Sequence, residues 1–311
     1  VTWYRNGNYG GTLQAYALQK TLEFMGFDSE FINFCPEQKR VSYRIVRFLK
    51  DVIIFCYKPK LYKSREKIYK FIHDNLKVSQ PYYSYSQLSD NAEGRYWAAI
   101  CGSDQIWAPV GGKVEPLNYL TFINEGKRIA YAPSIGYNRI SEQSKDTFKK
   151  FVNGIWFLSI REKQGAEIIK ENTGRNAQVV LDPSLLLTKE QWEKEIKRTQ
   201  TKGFSYNKEY IFCYFIGRNS EYARYAYKLS RYTGYPIVTL DSKRSILRGV
   251  EIVIADPFDF LQFINNATYV LTDSFHGTAF SIIFEKQFGV FKRFKDNDPI
   301  CQNSRIYNIL E

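Results

Sequence analysis

The residues with the clearest chemical potential occupy positions 272–279, where one apolar stretch ends and another begins. This segment contains His276, one of only two histidines in the chain. A histidine passes protons or binds anions near neutral pH, and a turn between a strand and a helix would present it to a crevice. The amides of Gly277, Thr278 and Ala279 would open the helix, where free N–H groups favour a phosphate. We predict that His276 is catalytic; the alternative is a histidine hydrogen-bonded within its own turn.

A glycine-containing turn lies near the start of the chain, between a predicted strand end and a predicted helix. It consists of Asn8, Tyr9, Gly10 and Gly11. Glycines let the backbone approach a ligand closely, and the free N–H groups of a first helical turn favour an anion. We predict that these four residues contact substrate; a glycine turn that is only a tight connection is the equal alternative.

Acidic and basic side chains follow two other predicted strands. Asp104, after Ser103, would serve as an acid, a base or a ligand for hydroxyl groups, unless one of the two residues caps a helix. Arg161 would grip a carboxylate or a phosphate with two parallel hydrogen bonds, unless it pairs structurally with Glu162. The Asp-Pro-Ser segment at 182–184 is typical of helix starts, and we interpret it as such rather than as chemistry.

Apolar runs with strand-like and helix-like spacing alternate along both halves of the chain. This alternation predicts an α/β fold with parallel sheets that are covered by helices, and the predicted strands include residues 1–4, 128–135 and 210–216. A polar stretch at 199–207 separates the halves. We therefore predict two Rossmann-like domains, 1–198 and 199–311, that face each other across a cleft. Ligands bind at the carboxyl ends of strands in such sheets, which is where the segments above lie.

Length and composition limit the classes of function. A chain of 311 residues exceeds what one hydrophobic core usually serves, which fits two domains. Its five cysteines are scattered, which argues against a disulfide framework or a structural zinc site and favours a reducing compartment. Two histidines cannot build a histidine-rich metal site, so no metal is predicted. No apolar run reaches the roughly 18 residues that span a bilayer.

The net charge of +12 is concentrated in one region. Residues 39–70 contain eleven Lys or Arg and two acids, and they are predicted to form two basic helices. One helix carries apolar residues at helical spacing, namely Ile45, Phe48, Leu49, Val52, Ile53 and Cys56. Such a helix predicts peripheral contact with an anionic membrane or an anionic acceptor; the alternative is packing on the first domain with the lysines in solvent. No nucleic-acid-binding motif accompanies it, so no nucleic acid partner is expected.

Six motifs in one order carry a resemblance to a known family. They are NYGGTLQAYALQ at 8–19, GSDQIW at 102–107, RIAYAPSIG at 128–136, LSIRE at 158–162, LDPSLLL at 181–187 and DSFHGTAFSIIF at 273–284. Each motif alone is loose, but the six in sequence cover nearly the whole chain. Together they resemble the polysaccharide pyruvyl transferases.

This resemblance implies a GT-B-like fold and a transferase that moves a pyruvyl group from phosphoenolpyruvate to sugar hydroxyls as a ketal. It implies a polysaccharide or a lipid-linked oligosaccharide as acceptor, and no cofactor beyond phosphoenolpyruvate as donor. It also makes a cytoplasmic location sensible, peripheral at the inner face of the membrane. The histidine of the last family motif is associated with donor binding and catalysis, which points to His276, and the arginine of LSIRE implies a donor contact by Arg161. Asp104 is our second catalytic candidate.

One departure from the family concerns the donor site. Many members have Arg-Leu-His-Gly where this chain has residues 274–277, so one donor arginine is absent and Arg305 is the candidate to replace it. A lysine after the last strand is also expected in some members. The predicted substrate-binding residues are therefore Asn8, Tyr9, Gly10, Gly11, Ser103, Arg161, Ser274, Gly277, Thr278, Lys292, Arg293, Lys295 and Arg305. The alternative functions are a GT-B glycosyltransferase that uses a nucleotide sugar and a non-catalytic sugar-binding homologue.

Overall fold

Parallel strands and covering helices alternate in the computed structural model, which describes residues 1–36, 41–109, 113–199, 208–240, 246–295 and 302–311. The strands of the first half are β1 (Phe31–Phe34), β2 (Val78–Tyr82), β3 (Ala99–Cys101), β4 (Arg128–Ala130), β5 (Phe157–Ile160) and β6 (Gln178–Val179). β1 and β2 form a two-stranded parallel sheet, and the other four form a parallel sheet in the order β3-β4-β5-β6. The helices are α1 (Tyr9–Phe24), α2 (Val41–Tyr57), α3 (Pro59–Asn75), α4 (Tyr85–Arg95), α5 (Lys145–Asn153), α6 (Lys163–Thr173) and α7 (Lys189–Thr199).

The second half contains one five-stranded parallel sheet. Its strands are β7 (Ile211–Tyr214), β8 (Ile237–Leu240), β9 (Glu251–Val253), β10 (Tyr269–Thr272) and β11 (Gln287–Val290), in the order β11-β10-β7-β8-β9. Its helices are α8 (Ser220–Thr233), α9 (Pro257–Asn266), α10 (Phe275–Ile283) and α11 (Ser304–Leu310). The start of α9 follows from sequence, because Asp256 and Asp259 form a reciprocal capping box around Pro257 in the first turn.

One hydrophobic core crosses the predicted boundary between the halves. Tyr16 of α1 and Phe71 of α3 both pack against Phe258 of α9, with ring centroids 5.3 and 4.7 Å apart. Trp192 of α7 meets Phe280 of α10 at 5.3 Å. Helices of the first half therefore pack against α9 and α10, which belong to the second half. Residues 200–207, which hold most of the predicted linker, lie outside the described part of the chain, so the division at 198/199 stays a prediction.

The predicted strands at 128–135 and 1–4 differ most from the structure. The predicted strand at 128–135 ends at Ala130, because the chain then leaves the sheet through Ala132, which has a φ of 52°. The Ser159 hydroxyl accepts the Ala132 amide, so a side chain replaces the next strand partner. The predicted strand at 1–4 is absent from the structure. Val1 nevertheless pairs with the chain of β3 as a parallel strand would: its nitrogen donates to the Ile100 carbonyl, and its carbonyl accepts the Gly102 amide.

Candidate active site

The carboxylate of Asp182 contacts several side chains of the candidate site. Its Oδ2 accepts hydrogen bonds from Ser103 Oγ at 2.6 Å and from Arg161 Nη1 at 2.7 Å, and it lies 3.9 Å from His276 Nε2. Its Oδ1 accepts from the amide and the hydroxyl of Ser184 at 3.0 and 2.7 Å. Asp182 therefore brings together residues that follow the carboxyl ends of β3, β5 and β6 and the first turn of α10.

Asp182 stays ionised despite its complete burial. Burial alone would raise the pKa of this carboxyl group. The charge of His276, once the imidazole is protonated, and that of Arg161, with the hydroxyl donors of Ser103 and Ser184, outweigh burial and lower the pKa to about 2. Near neutral pH a negative charge therefore faces both the guanidinium and the imidazole.

Arg161 is almost fully buried, and the described residues engage only part of its guanidinium. Its guanidinium carbon lies 4.2 Å from the ring centroid of Phe275. Nε and Nη2 have no hydrogen-bond partner within the described residues, although Glu162 Oε2 lies 3.8 Å from Nε. Burial opposes the charge of Arg161, but Asp182, Glu162 and Asp104 keep its pKa above the ordinary value. A charged, planar fork with spare donors suits a carboxylate or a phosphate.

His276 lies in the first turn of α10 and is only 5% exposed. Its Nε2 faces Asp182 and has no hydrogen-bond partner among the residues that the structure describes. The other side of the ring packs against Gly10 of α1, where an added Cβ would lie 2.2 Å from Nδ1. Burial lowers the pKa of His276 below its ordinary value of 6.5, although the carboxylates of Asp182 and Asp104 oppose the shift. The imidazole is therefore neutral near pH 7 and able to accept a proton.

Asp104 lies beside the start of α1, on the same side as His276. Its Oδ2 lies 3.2 Å from the position that a Cβ on Gly11 would take. The backbone of Asp104 has a φ of 65°, and its carbonyl accepts the amide of Ser134 at 2.9 Å. Such a left-handed conformation in a residue other than glycine costs about 1–3 kcal/mol and is concentrated at functional sites. Asp104 is half-buried and thus reachable by a substrate hydroxyl.

Two further arginines, both from the second half of the chain, approach this cluster. Arg305 of α11 is buried and donates from Nη2 to Gln302 Oε1 at 2.7 Å. Burial, together with the charges of Arg161 and Arg293, lowers the pKa of Arg305 to about 9. Arg293 donates from Nη2 to the carbonyl of Asp273 at 2.9 Å. The three arginines create a region where an anion would relieve mutual repulsion.

The two lysines predicted as donor ligands differ from these arginines. Lys292 and Lys295 are both exposed, and the ammonium of Lys292 lies 5.1 Å from the ring centroid of Tyr307. Among the basic residues after β11, Arg293 and Arg305 are therefore less exposed than the two lysines.

The predicted glycine turn combines structural and site-facing positions. Asn8 caps α1 by accepting the Gly10 amide at 3.0 Å. Tyr9 turns into the core and donates to the Ala255 carbonyl at 3.1 Å. Gly10 and Gly11 are the two positions that meet the site, because each leaves space for a side chain described above. Tyr9 is thus a core residue in this structure rather than one that faces substrate.

The amides of Gly277 and Thr278, in the first turn of α10, are already bonded to Ser274. Ser274 is the N-cap, and its Oγ accepts the Gly277 amide at 3.3 Å. The amide of Thr278 donates to the Ser274 carbonyl at 3.0 Å. Packing explains why position 277 is glycine, since an added Cβ would lie 2.3 Å from Thr272 Oγ1. The amides of residues 277 and 278 are therefore not free to donate to the predicted phosphate.

Sequence reasoning missed two residues that organise the site. The helix-start interpretation of Asp182 was correct but incomplete, because its side chain caps a short helical turn and also holds Arg161. Glu162 accepts the Ser134 hydroxyl and the Ile135 amide at 2.9 and 3.0 Å, which fixes the loop after β4. Asp182 follows a strand end as Asp104 and Arg161 do, and that shared position was the available signal. Among the described residues, no group of three His, Cys, Asp or Glu side chains is placed to hold a metal ion.

Known proteins resemble this chain in family and in fold. The sequence model of the family described as polysaccharide pyruvyl transferase matches residues 8–293. No curated protein matches significantly. The solved UDP-GlcNAc 2-epimerase from Neisseria meningitidis bound to UDP-GlcNAc has a TM-score of 0.55 at 8% identity, over 97% of this chain and 83% of that one. A UDP-GlcNAc 2-epimerase from Methanocaldococcus jannaschii, in complex with UDP-GlcNAc and UDP, has a TM-score of 0.44 at 11% identity, over 96% and 88% of the two chains. The Neisseria likeness is one of fold, and it confirms the predicted GT-B-like architecture with two Rossmann-like domains.

Proposed function

Because the chain belongs to the polysaccharide pyruvyl transferase family, we propose that it transfers a pyruvyl group from phosphoenolpyruvate to two hydroxyls of a sugar, forming a pyruvate ketal. The observation that carries this proposal is one juxtaposition. Two buried nitrogens of Arg161 have no hydrogen-bond partner among the described residues, and they lie near a buried His276 whose burial lowers its pKa; Asp182 lies against both side chains. A small donor with two anionic groups suits such a place.

The donor would use the spare arginine nitrogens. Phosphoenolpyruvate carries a carboxylate and a phosphate on one enol, and each anion is matched by a planar guanidinium with paired donors. Nε and Nη2 of Arg161 are the first candidates, since Nη1 is already engaged by Asp182. Arg305 is the second candidate, because its buried charge lies near two other arginines and is incompletely compensated. The arginine that many relatives carry at position 274 would then be replaced from α11.

The reaction needs one proton delivered and two removed. Protonation of the methylene carbon creates positive charge on the carbon that bears the phosphate, and a sugar hydroxyl adds there. Phosphate leaves with its bridging oxygen, and a second hydroxyl closes the ketal. Of the two hydroxyl protons, one balances the new methyl group and one the released phosphate. A neutral His276 and Asp104 are the groups placed to share these transfers, with Asp182 stabilising the imidazolium that forms.

The family implies a glycan acceptor. We propose that it is a polysaccharide or a lipid-linked oligosaccharide and that the enzyme works in the cytoplasm. The cysteines support a reducing compartment, because Cys35, Cys56, Cys101 and Cys213 carry free thiols, while Cys301 lies outside the described residues.

The test incubates the full chain with phosphoenolpyruvate and a panel of glycans. Phosphate release and a product that has gained pyruvate less one water are expected, and both should be lost in His276→Ala. Phosphoenolpyruvate should also raise the melting temperature, since a ligand that binds only the folded state stabilises it. Turnover of a nucleotide sugar with none of phosphoenolpyruvate would establish the glycosyltransferase alternative instead. Stabilisation by neither donor, with no turnover, would establish a non-catalytic homologue.

A further inference from the structure

The outer face of α2 is apolar and exposed. Ile45, Leu49 and Ile53 are 55%, 52% and 57% exposed, and Val46 and Val52 are exposed as well. At about 100° per residue, these five positions fall within about 120° of one another around the helix. The side chain of Phe48, which shares the spacing, lies outside the described part of the chain. A contiguous exposed apolar surface of this kind marks a site of interaction.

The neighbouring helix α3 shows the opposite behaviour. Its Ile68, Phe71 and Ile72 are buried in the core that is shared with the five-stranded sheet. The ring of Phe55 in α2 meets Tyr62 of α3 with centroids 5.3 Å apart, so α3 supports α2 from one side. The alternative that the basic helices simply pack on the protein therefore describes α3 but not the outer face of α2.

Positive charge surrounds this apolar face. Lys50 lies one turn from both Val46 and Ile53, and it is exposed. Lys63 and Lys70 of α3 are exposed too, and none of these three lysines makes an ion pair within the described residues. The eleven basic and two acidic residues at 39–70 make the whole segment strongly cationic.

We propose that the outer face of α2 lies on an anionic membrane surface. An amphipathic helix with a basic rim inserts its apolar residues at the level of the lipid headgroups, and lysines beside it pair with anionic lipids. The proposed contact is peripheral, because the apolar residues enter only to the level of the headgroups. No helix in the described ranges is long and apolar enough to span a bilayer. Charge complementarity selects this occupant over a second copy of the chain, since two such faces would bring two cationic segments together. This inference does not depend on the proposed catalytic activity.

The experiment is vesicle sedimentation with the full chain. Vesicles of phosphatidylcholine with phosphatidylglycerol are compared with phosphatidylcholine alone, at low and high salt. Binding is expected to the anionic vesicles at low salt and to fall as salt screens the charges. Each lysine near an anionic surface contributes about fivefold, so Lys50→Glu, a change of two charges, should weaken binding about 25-fold. Leu49→Gln with Ile53→Gln should weaken it at least about tenfold, because both lose buried apolar area.

The control is Lys228→Glu, which makes the same charge change at an exposed position of α8. It should bind vesicles as the unchanged protein does. Absence of binding to anionic vesicles at low salt, equal binding to both vesicle types, or equal loss in Lys228→Glu would each overturn the proposal. A dimer in solution that Leu49→Gln with Ile53→Gln dissociates would assign the face to a second copy instead.

Discussion

Replacing Gly10 by alanine tests whether α1 holds His276 in its working position. A Cβ at Gly10 would lie 2.2 Å from Nδ1, 2.3 Å from Cγ and 2.6 Å from Cβ of His276, whereas ordinary contacts begin at 3.4 Å. The imidazole is therefore expected to move by about 1.2 Å, the difference between 3.4 and 2.2 Å, if α1 stays in place. Rotation of the ring alone does not suffice, because the Cβ of His276 is also too close. A displacement of about 1 Å at a catalytic group costs up to about 100-fold in rate.

The substitution should leave the fold intact. Gly10 lies in α1 and has no left-handed φ, so alanine fits the backbone there, and alanine is favoured over glycine in helices by about 1 kcal/mol. Phosphate release from phosphoenolpyruvate measures the loss of turnover. Gly94→Ala in α4 is the matched control, because an added Cβ there meets no atom within 4 Å. Turnover in Gly94→Ala should be unchanged.

Imidazole NMR provides a readout that is independent of activity. The chain has only two histidines, and His73 is exposed and serves as the reference signal. Gly10→Ala should shift the signal of His276 and leave that of His73 in place. Full turnover with an unmoved His276 signal would refute the reasoning, because it would mean that α1 moves to accommodate the new methyl group and His276 does not. Full turnover with a shifted signal would show that the position of His276 is irrelevant to the reaction.

Three further predictions concern the same cluster. His276→Ala should lower turnover about 10²–10⁴-fold with unchanged circular dichroism and melting, and near-normal turnover in the folded variant would remove His276 from the mechanism. Asp182→Asn should lower the pKa of His276 further, because the carboxylate of Asp182 raises that pKa. The limb of the pH–rate profile that His276 sets should therefore move to lower pH. An NMR titration of His276 that does not shift would contradict this prediction. Arg161→Lys should weaken phosphoenolpyruvate binding about 10–100-fold by calorimetry, since lysine lacks the planar fork, and unchanged affinity would exclude Arg161 as a donor ligand.

Stability at low pH follows from the same aspartate. The folded pKa of Asp182, about 2, lies below its ordinary 3.8, so its contribution is present above about pH 4 and lost as pH falls toward 2. Asp182→Asn should remove this part of the acid dependence of the unfolding free energy, which adds a second readout to that variant. The contribution of His276 has the same sign, because its folded pKa is also depressed and protonation favours the unfolded chain.

The location of the candidate site could be predicted from sequence, but the contacts among its side chains could not. Asp104, Arg161 and His276 each follow a strand, and carboxyl ends of parallel strands meet at one edge of a sheet. That rule does not say which side chains touch. Asp182 accepts a hydrogen bond from Ser103, 79 residues away in sequence, and the local Asp-Pro-Ser pattern describes only its capping role.

Local patterns by themselves determined the alternation of helices and strands, which residues follow strand ends, and where positive charge is concentrated. They did so because periodicity, capping and composition depend on residues that are close in sequence. Burial and pairing depend on residues that are distant in sequence, and only the tertiary structure decided them. Tyr9 and Gly10 are neighbours in one motif, yet Tyr9 enters a core and Gly10 receives the ring of His276. Likewise α2 and α3 are both basic and amphipathic, but the five-stranded sheet and its helices cover the apolar residues of α3 alone, which leaves those of α2 to meet another surface.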